Sequence, residues 1–142
     1  MKVRGGEESG GRSGARSGRG APVRTFRDLV AWQRAMELAE AVYQATKRLP
    51  DSERFGLSMQ LRRAAVSIPS NIAEGHARQA RADFLRFLRM ARGSVAEVGT
   101  QVELSTRLHL LEPDPQLHDL IAEVARILQA LIRSLEHKER HT

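Results

Sequence analysis

From Thr25 onward, apolar residues recur every three or four positions, the period of an amphipathic helix. Four segments share this rhythm. In the first, "RDLVAWQRAMELAEAVYQATKRL", the stripe is Leu29, Trp32, Ala35, Met36, Ala39, Val42 and Tyr43. The stretch "LPDSERFG" then punctuates, and its Asp-Ser-Glu cluster can cap the helix that follows. In the second segment Leu57, Leu61, Ala65, Ile68 and Ile72 step by four, four, three and four. The third runs from about Ala80 to Leu111, with a coiled-coil-like seam of Phe84, Leu88, Ala91, Val95, Val98, Val102 and Ser105. "EPDP" at 112–115 ends it, since two prolines cannot continue a helix interior. The fourth carries Leu117, Ile121, Val124, Leu128, Leu131 and Leu135. No strand pattern competes. The prediction is an all-α fold over residues 25–142, an antiparallel up-down-up-down four-helix bundle with short connections.

Pro69 tests that reading, because it stands in the middle of the second stripe, in "AAVSIPSNIAEG". The phase of the stripe does not reset at the proline. Two helices joined by a turn would have no reason to keep it, so one helix bent at Pro69 is predicted. Its missing N–H leaves the Ala65 carbonyl without a partner, and Ser70 or Asn71 can recruit water there. Gly75 is placed to be a left-handed C-terminal cap. Gly93 and Gly99 lie inside the third segment, where each glycine costs about 1 kcal/mol against alanine. The expected return is close helix approach.

Residues 1–24 break the pattern. "GGEESGGRSGARSGRG" is nearly devoid of apolar side chains, cannot offset its ordering entropy by burial, and is expected to be a disordered tail. Such Gly/Arg/Ser composition resembles RNA-binding tails; a plain extension or a misassigned start reads the same way. The tail holds six Lys and Arg against two Glu, so most of the formal net charge of +6 sits there. A basic balance favours anionic partners, above all nucleic acid. With no cysteine, disulfides, thiolate metal sites and thiol nucleophiles are excluded. No secretory signal and no run of eighteen apolar residues is present, so the expectation is a cytoplasmic protein with no membrane span.

The chemistry-bearing pattern is arginine placement. With Phe84 at zero and about 100° per residue, Arg81, Arg92, Arg78, Arg89 and Arg86 fall at roughly 60°, 80°, 120°, 140° and 200°. They cover one flank and leave the seam clear; Arg78 and Arg81 count only if the helix starts that early. Arg62 and Arg63 lie off the apolar stripe of the second segment. Guanidinium forks match phosphate geometry, so these seven are the predicted nucleic-acid-binding residues, contacting backbone or shape. The competing reading is a solvated helix face, with Asp83, Glu97 and Glu103 pairing nearby. Trp32, Tyr43, Phe84 and Phe87 are read as core or interface residues, which leaves base stacking little support.

No enzyme constellation emerges. No Glu is followed three residues later by His, as a di-metal bundle requires. The five histidines, at 76, 109, 118, 137 and 141, form no ligand-spaced group, and none has an Arg five to seven residues before it. Asn71 and Glu74 lie one turn apart, which a structural role at the end of the second helix explains. No catalytic residue, metal or cofactor is predicted.

"FRDLVAWQRAMELAEAVYQAT", "FGLSMQLRRAAVSIPSNIAEG" and "DFLRFLRMARGSVAEVGTQVEL" together resemble the bacterial four-helix-bundle proteins of 23S rRNA intervening sequences. The resemblance covers about residues 25–137. It implies a bundle with a bent second helix and, with the related accessory proteins of diversity-generating retroelements, a homopentamer. Those relatives bind nucleic acid and assist a reverse transcriptase. The resemblance thus implies a non-catalytic accessory factor that binds RNA ahead of DNA. The alternative is a protein–protein scaffold that binds no nucleic acid. One departure is local: where the family often has R-x-S-x-x-E-F, this chain has "RQARADF". Ala80 offers no capping oxygen, a loss of about 1 kcal/mol.

Overall fold

The computed structural model describes residues 22–140. The expected disordered tail, apart from residues 22–24, lies outside them, as does His141. Four helices follow one another: α1 (Val30–Thr46), α2 (Leu57–Ala77), α3 (Arg81–Arg107) and α4 (Pro115–Arg140). Short 3-10 turns at Phe26–Asp28 and Asp51–Glu53 precede α1 and α2. Among the described residues there is no strand, and no helix is long and apolar enough to cross a membrane.

Each helix packs on its neighbours in the chain, and α4 returns to α1. The cross-helix contacts step in opposite directions. Ser67 meets Ser94 and Gln60 meets Gln101 across α2 and α3. Arg34 grips Glu123 across α1 and α4, and Arg48, just past α1, pairs with Asp114, just before α4. Arg89 with Glu136 and Arg92 with Gln129 run the same way across α3 and α4, so each helix is antiparallel to its neighbours. Between them lies one aliphatic core, in which Leu38, Val42, Leu61, Ile68, Ile72, Leu88, Val98, Leu128 and Ile132 are fully or almost fully buried. Each such Leu or Ile contributes about 1.5–3 kcal/mol by leaving water.

The second stripe behaves as its phase predicts. α2 runs unbroken through Pro69, whose ring is buried with Ala65, Ile68 and Ile72. Side chains of the surrounding turns serve backbone carbonyls there. Ser67 Oγ donates to the Ala64 carbonyl (2.7 Å) and lies 2.6 Å from Ser94 Oγ, while Asn71 Nδ2 donates to the Ser67 carbonyl (2.8 Å).

The first stripe is centred one flank away from its prediction. Ala31, Ala35, Leu38, Val42 and Ala45 form the buried row, whereas Met36 and Tyr43, seven residues apart, remain more than a third exposed. Leu38 was absent from the predicted stripe, as were Leu85, Phe87 and Ile132 from theirs.

The glycines also differ from expectation. Gly75 is not a cap: it is buried inside α2, and a Cβ there would lie 2.6 Å from Phe87 Cβ and 3.4 Å from Phe84 Cα. Only a residue without a side chain lets α3 come so close. The left-handed residue after α2 is Gln79 (φ 65°). Gly93 faces open space and Gly99 meets Ile121 at an ordinary 3.7 Å, so neither is required for close approach. α3 also ends on a left-handed residue, His109 (φ 61°), in a Schellman arrangement: Leu110 N–H reaches the Ser105 carbonyl (2.9 Å) and His109 N–H the Thr106 carbonyl (3.0 Å). α4 starts with Pro115 at its first position and Asp114 Oδ1 accepting from Leu117 N–H (3.1 Å).

Candidate nucleic-acid interface

The seven predicted arginines do not form one face. α3 begins at Arg81, behind an Ala80 that supplies no side-chain cap. Arg78 is therefore not on α3. It is the C-terminal cap residue of α2, beyond which Gln79 turns the chain. Arg78 and Arg86 nevertheless converge, with their guanidinium carbons 5.2 and 4.6 Å from the centre of the Phe87 ring. Each also meets a carboxylate of its own helix, Glu74 at 3.3 Å and Asp83 at 3.6 Å. Arg89 and Arg92 reach sideways to α4, to Glu136 (2.7 Å) and to Gln129 Oε1 (2.7 Å). Arg81 stands apart with Arg24, Arg27 and His76 around a hollow at the α2–α3 turn.

Arg62 and Arg63 belong to a different place. They line a groove of about 680 Å³ between the end of α1 and the start of α2. Arg62 is half-buried. Its guanidinium lies 4.3 Å from the centre of the Tyr43 ring, and its Nε donates to Thr46 Oγ1 (2.8 Å). The buried Thr46 hydroxyl in turn donates to the Tyr43 carbonyl (2.9 Å), so that hydroxyl is satisfied both as acceptor and as donor. Arg63 is exposed, with Nη2 3.4 Å from Met59 Sδ. Lys47 and Arg54 stand on the same rim. The one carboxylate lining the groove is Asp51. Among the described residues, none of these four cations has a carboxylate within ion-pairing distance.

The connection that shapes this rim is built by Glu53. Its Oε1 accepts from Leu57 N–H (3.1 Å) and starts α2. A Cβ on Gly56 would lie 2.7 Å from that oxygen, so the glycine leaves room for the carboxylate. Phe55, between them, is turned outward and is 77% exposed. Arg54 lies 5.2 Å from the centre of its ring.

The shifted ionisations lie outside the groove. Hydrogen bonds from the backbone N–H groups of Arg24 and Thr25 hold the Asp28 carboxyl below its ordinary value. The hydrogen bonds from Arg34 do the same for Glu123, and Glu123 raises Arg34 in return. Among the described residues no group of three His, Asp or Glu side chains gathers to hold a metal ion.

Compared with known families, residues 27–133 match the 23S rRNA-intervening sequence protein family. The chain belongs to that family. Among solved structures it is similar to a protein of unknown function from the S23 ribosomal protein family of Bacteroides thetaiotaomicron VPI-5482, determined at 1.70 Å resolution. The two are 27% identical, with a TM-score of 0.65 over 73% of this chain and 96% of the other. No curated protein matches the chain.

The span matched by the intervening-sequence family contains the whole groove. Sequence reasoning found two of its cations and missed Lys47, Arg54, Phe55 and the exposure of Tyr43. The first three sit in or beside "LPDSERFG", which was treated as punctuation. The available signal was an aromatic residue between Arg54 and Gly56, in a connection with no helical stripe to bury it.

Proposed function

We propose that this intervening-sequence protein is a non-catalytic nucleic-acid-binding factor whose primary contact surface is the α1–α2 groove. The observation that carries the reading is the gathering of Lys47, Arg54, Arg62 and Arg63 around one concavity lined by a single carboxylate. Such a site attracts phosphate, and each neutralised phosphate releases counterions. The other arginines fit the role less well, because Arg78 at the end of α2 and Arg86 and Arg89 on α3 already face carboxylates. RNA is the first ligand to try, since the family's description refers to an insertion in ribosomal RNA.

The test is a salt titration of RNA binding by fluorescence anisotropy. Affinity is expected to fall steeply between about 50 and 200 mM salt. Arg62→Ala with Arg63→Ala is expected to weaken binding about tenfold, and Arg89→Ala with Arg92→Ala by no more than about twofold. No binding at about 50 mM salt overturns the reading.

A second reading, a self-associating scaffold, has its own observation. Met36, Met59, Val66, Met90, Leu104 and Leu108 are all more than a third exposed on α1, α2 and α3. Scattered apolar residues are ordinary, but six on three adjacent helices favour burial against further copies. The resemblance to pentameric relatives points the same way. Light scattering decides it: a monomeric mass rejects the assembly, and an oligomer without RNA affinity favours the scaffold.

A further inference from the structure

The groove carries more than charge. A duplex offers it only phosphates, because the base faces are stacked inside the helix. The groove has two features that a duplex leaves unused. Phe55 holds an aromatic ring out in water, 77% exposed, in a connection whose backbone is fixed by the Glu53 cap on α2. Tyr43, also partly exposed, is already stacked under Arg62. Rings and guanidinium planes placed between cations form the surface on which unpaired bases stack while the backbone meets Arg and Lys.

We infer that the α1–α2 groove selects single-stranded nucleic acid, with a base stacked on Phe55 and the adjoining phosphates held by Lys47, Arg62 and Arg63. This deepens the proposed function and rests on it. Charge complementarity favours a polyanion over a neutral apolar segment. The protruding ring favours an unpaired strand over a duplex. Arg54, against the Phe55 ring, adds a cation beside the stacked base.

The test compares a labelled single-stranded RNA of about ten nucleotides, within the range of known single-strand sites, with a blunt duplex of the same length. An acidic amphipathic peptide is the third arm. The single strand is expected to bind about tenfold more tightly than the duplex, and Phe55→Ala to remove most of that preference. Duplex affinity should change less than twofold in the same variant, since its phosphate contacts remain. Phe55→Trp should retain the preference and Phe55→Leu should lose it, because leucine is apolar but has no π face. Phe55 is a surface residue, so circular dichroism is expected to show the variants folded. Equal affinity for strand and duplex, an indifferent Phe55→Ala, or retention in Phe55→Leu overturns the inference and leaves general nucleic-acid binding standing. Tighter capture of the peptide than of the RNA overturns it in favour of a protein partner. Failure of both RNAs to bind at about 50 mM salt removes the proposed function as well.

Discussion

The two flanks of α2 handle arginine differently. Toward α3 the helices close tightly over Gly75, and Arg78 and Arg86 lie against Phe87 within reach of Glu74 and Asp83. Toward α1 the helices leave a groove, and Arg62 lies against Tyr43 with no carboxylate beside it. On each flank an aromatic ring supports a guanidinium. On one the charge is already answered within the protein, and on the other it is open to an external anion. A count of arginines per face cannot distinguish the two. Nearby carboxylates can.

The largest expected effect breaks the closed flank. Gly75→Ala forces a methyl group to 2.6 Å from Phe87 Cβ, next to the α3 backbone, and should destabilise the fold by about 1–3 kcal/mol in urea melts. If stability is unchanged, α3 does not need its close approach. Gly93→Ala is the counterpart. It faces open space on the same pair of helices and should stabilise by about 1 kcal/mol, the helix-propensity difference alone. A loss there would mean that the exposed side of α3 is covered by something else.

The next effect is smaller and sharpens the electrostatic contrast. Glu74→Gln with Asp83→Asn releases Arg78 and Arg86. Exposed pairs are worth up to about 1 kcal/mol, so RNA affinity should rise roughly threefold. A fall, or no change, would show that these arginines are silent for some reason other than pairing.

The smallest effect concerns the side of α1 that faces α4. The hydrogen bonds from Arg34 hold Glu123 below its ordinary carboxylate value. The stabilisation is complete above that ordinary value and is lost as the pH falls through the lowered one. Thermal melts should therefore decline on acidification below about pH 5, where carboxylates begin to protonate. Glu123→Gln should flatten the decline without changing RNA binding in the groove at neutral pH.

Much of the architecture was legible. The unbroken stripe from Leu57 to Ile72 correctly argued for one helix through Pro69. The α3 seam from Leu88 to Ser105 is buried as its spacing implied. The α1 stripe was misplaced because Met36 and Tyr43 also keep helical spacing, and apolarity alone does not say which of two adjacent rows faces inward. The site was far less legible. Wheel angles put five arginines on one flank, but the helix start at Arg81 removed Arg78 from that wheel.

Helix content, segment order and membership of the 23S rRNA-intervening sequence family were all readable along the chain. These follow from period and motif, which are properties of neighbouring residues. Which charges and rings remain available depends instead on how the helices pack. Arg89 meets Glu136 from another helix, Arg62 meets Tyr43 across the groove, and Gly75 owes its role to Phe87 on α3. A guanidinium's free energy depends on what lies within a few ångströms of it, and in a bundle those neighbours come from distant segments of the chain.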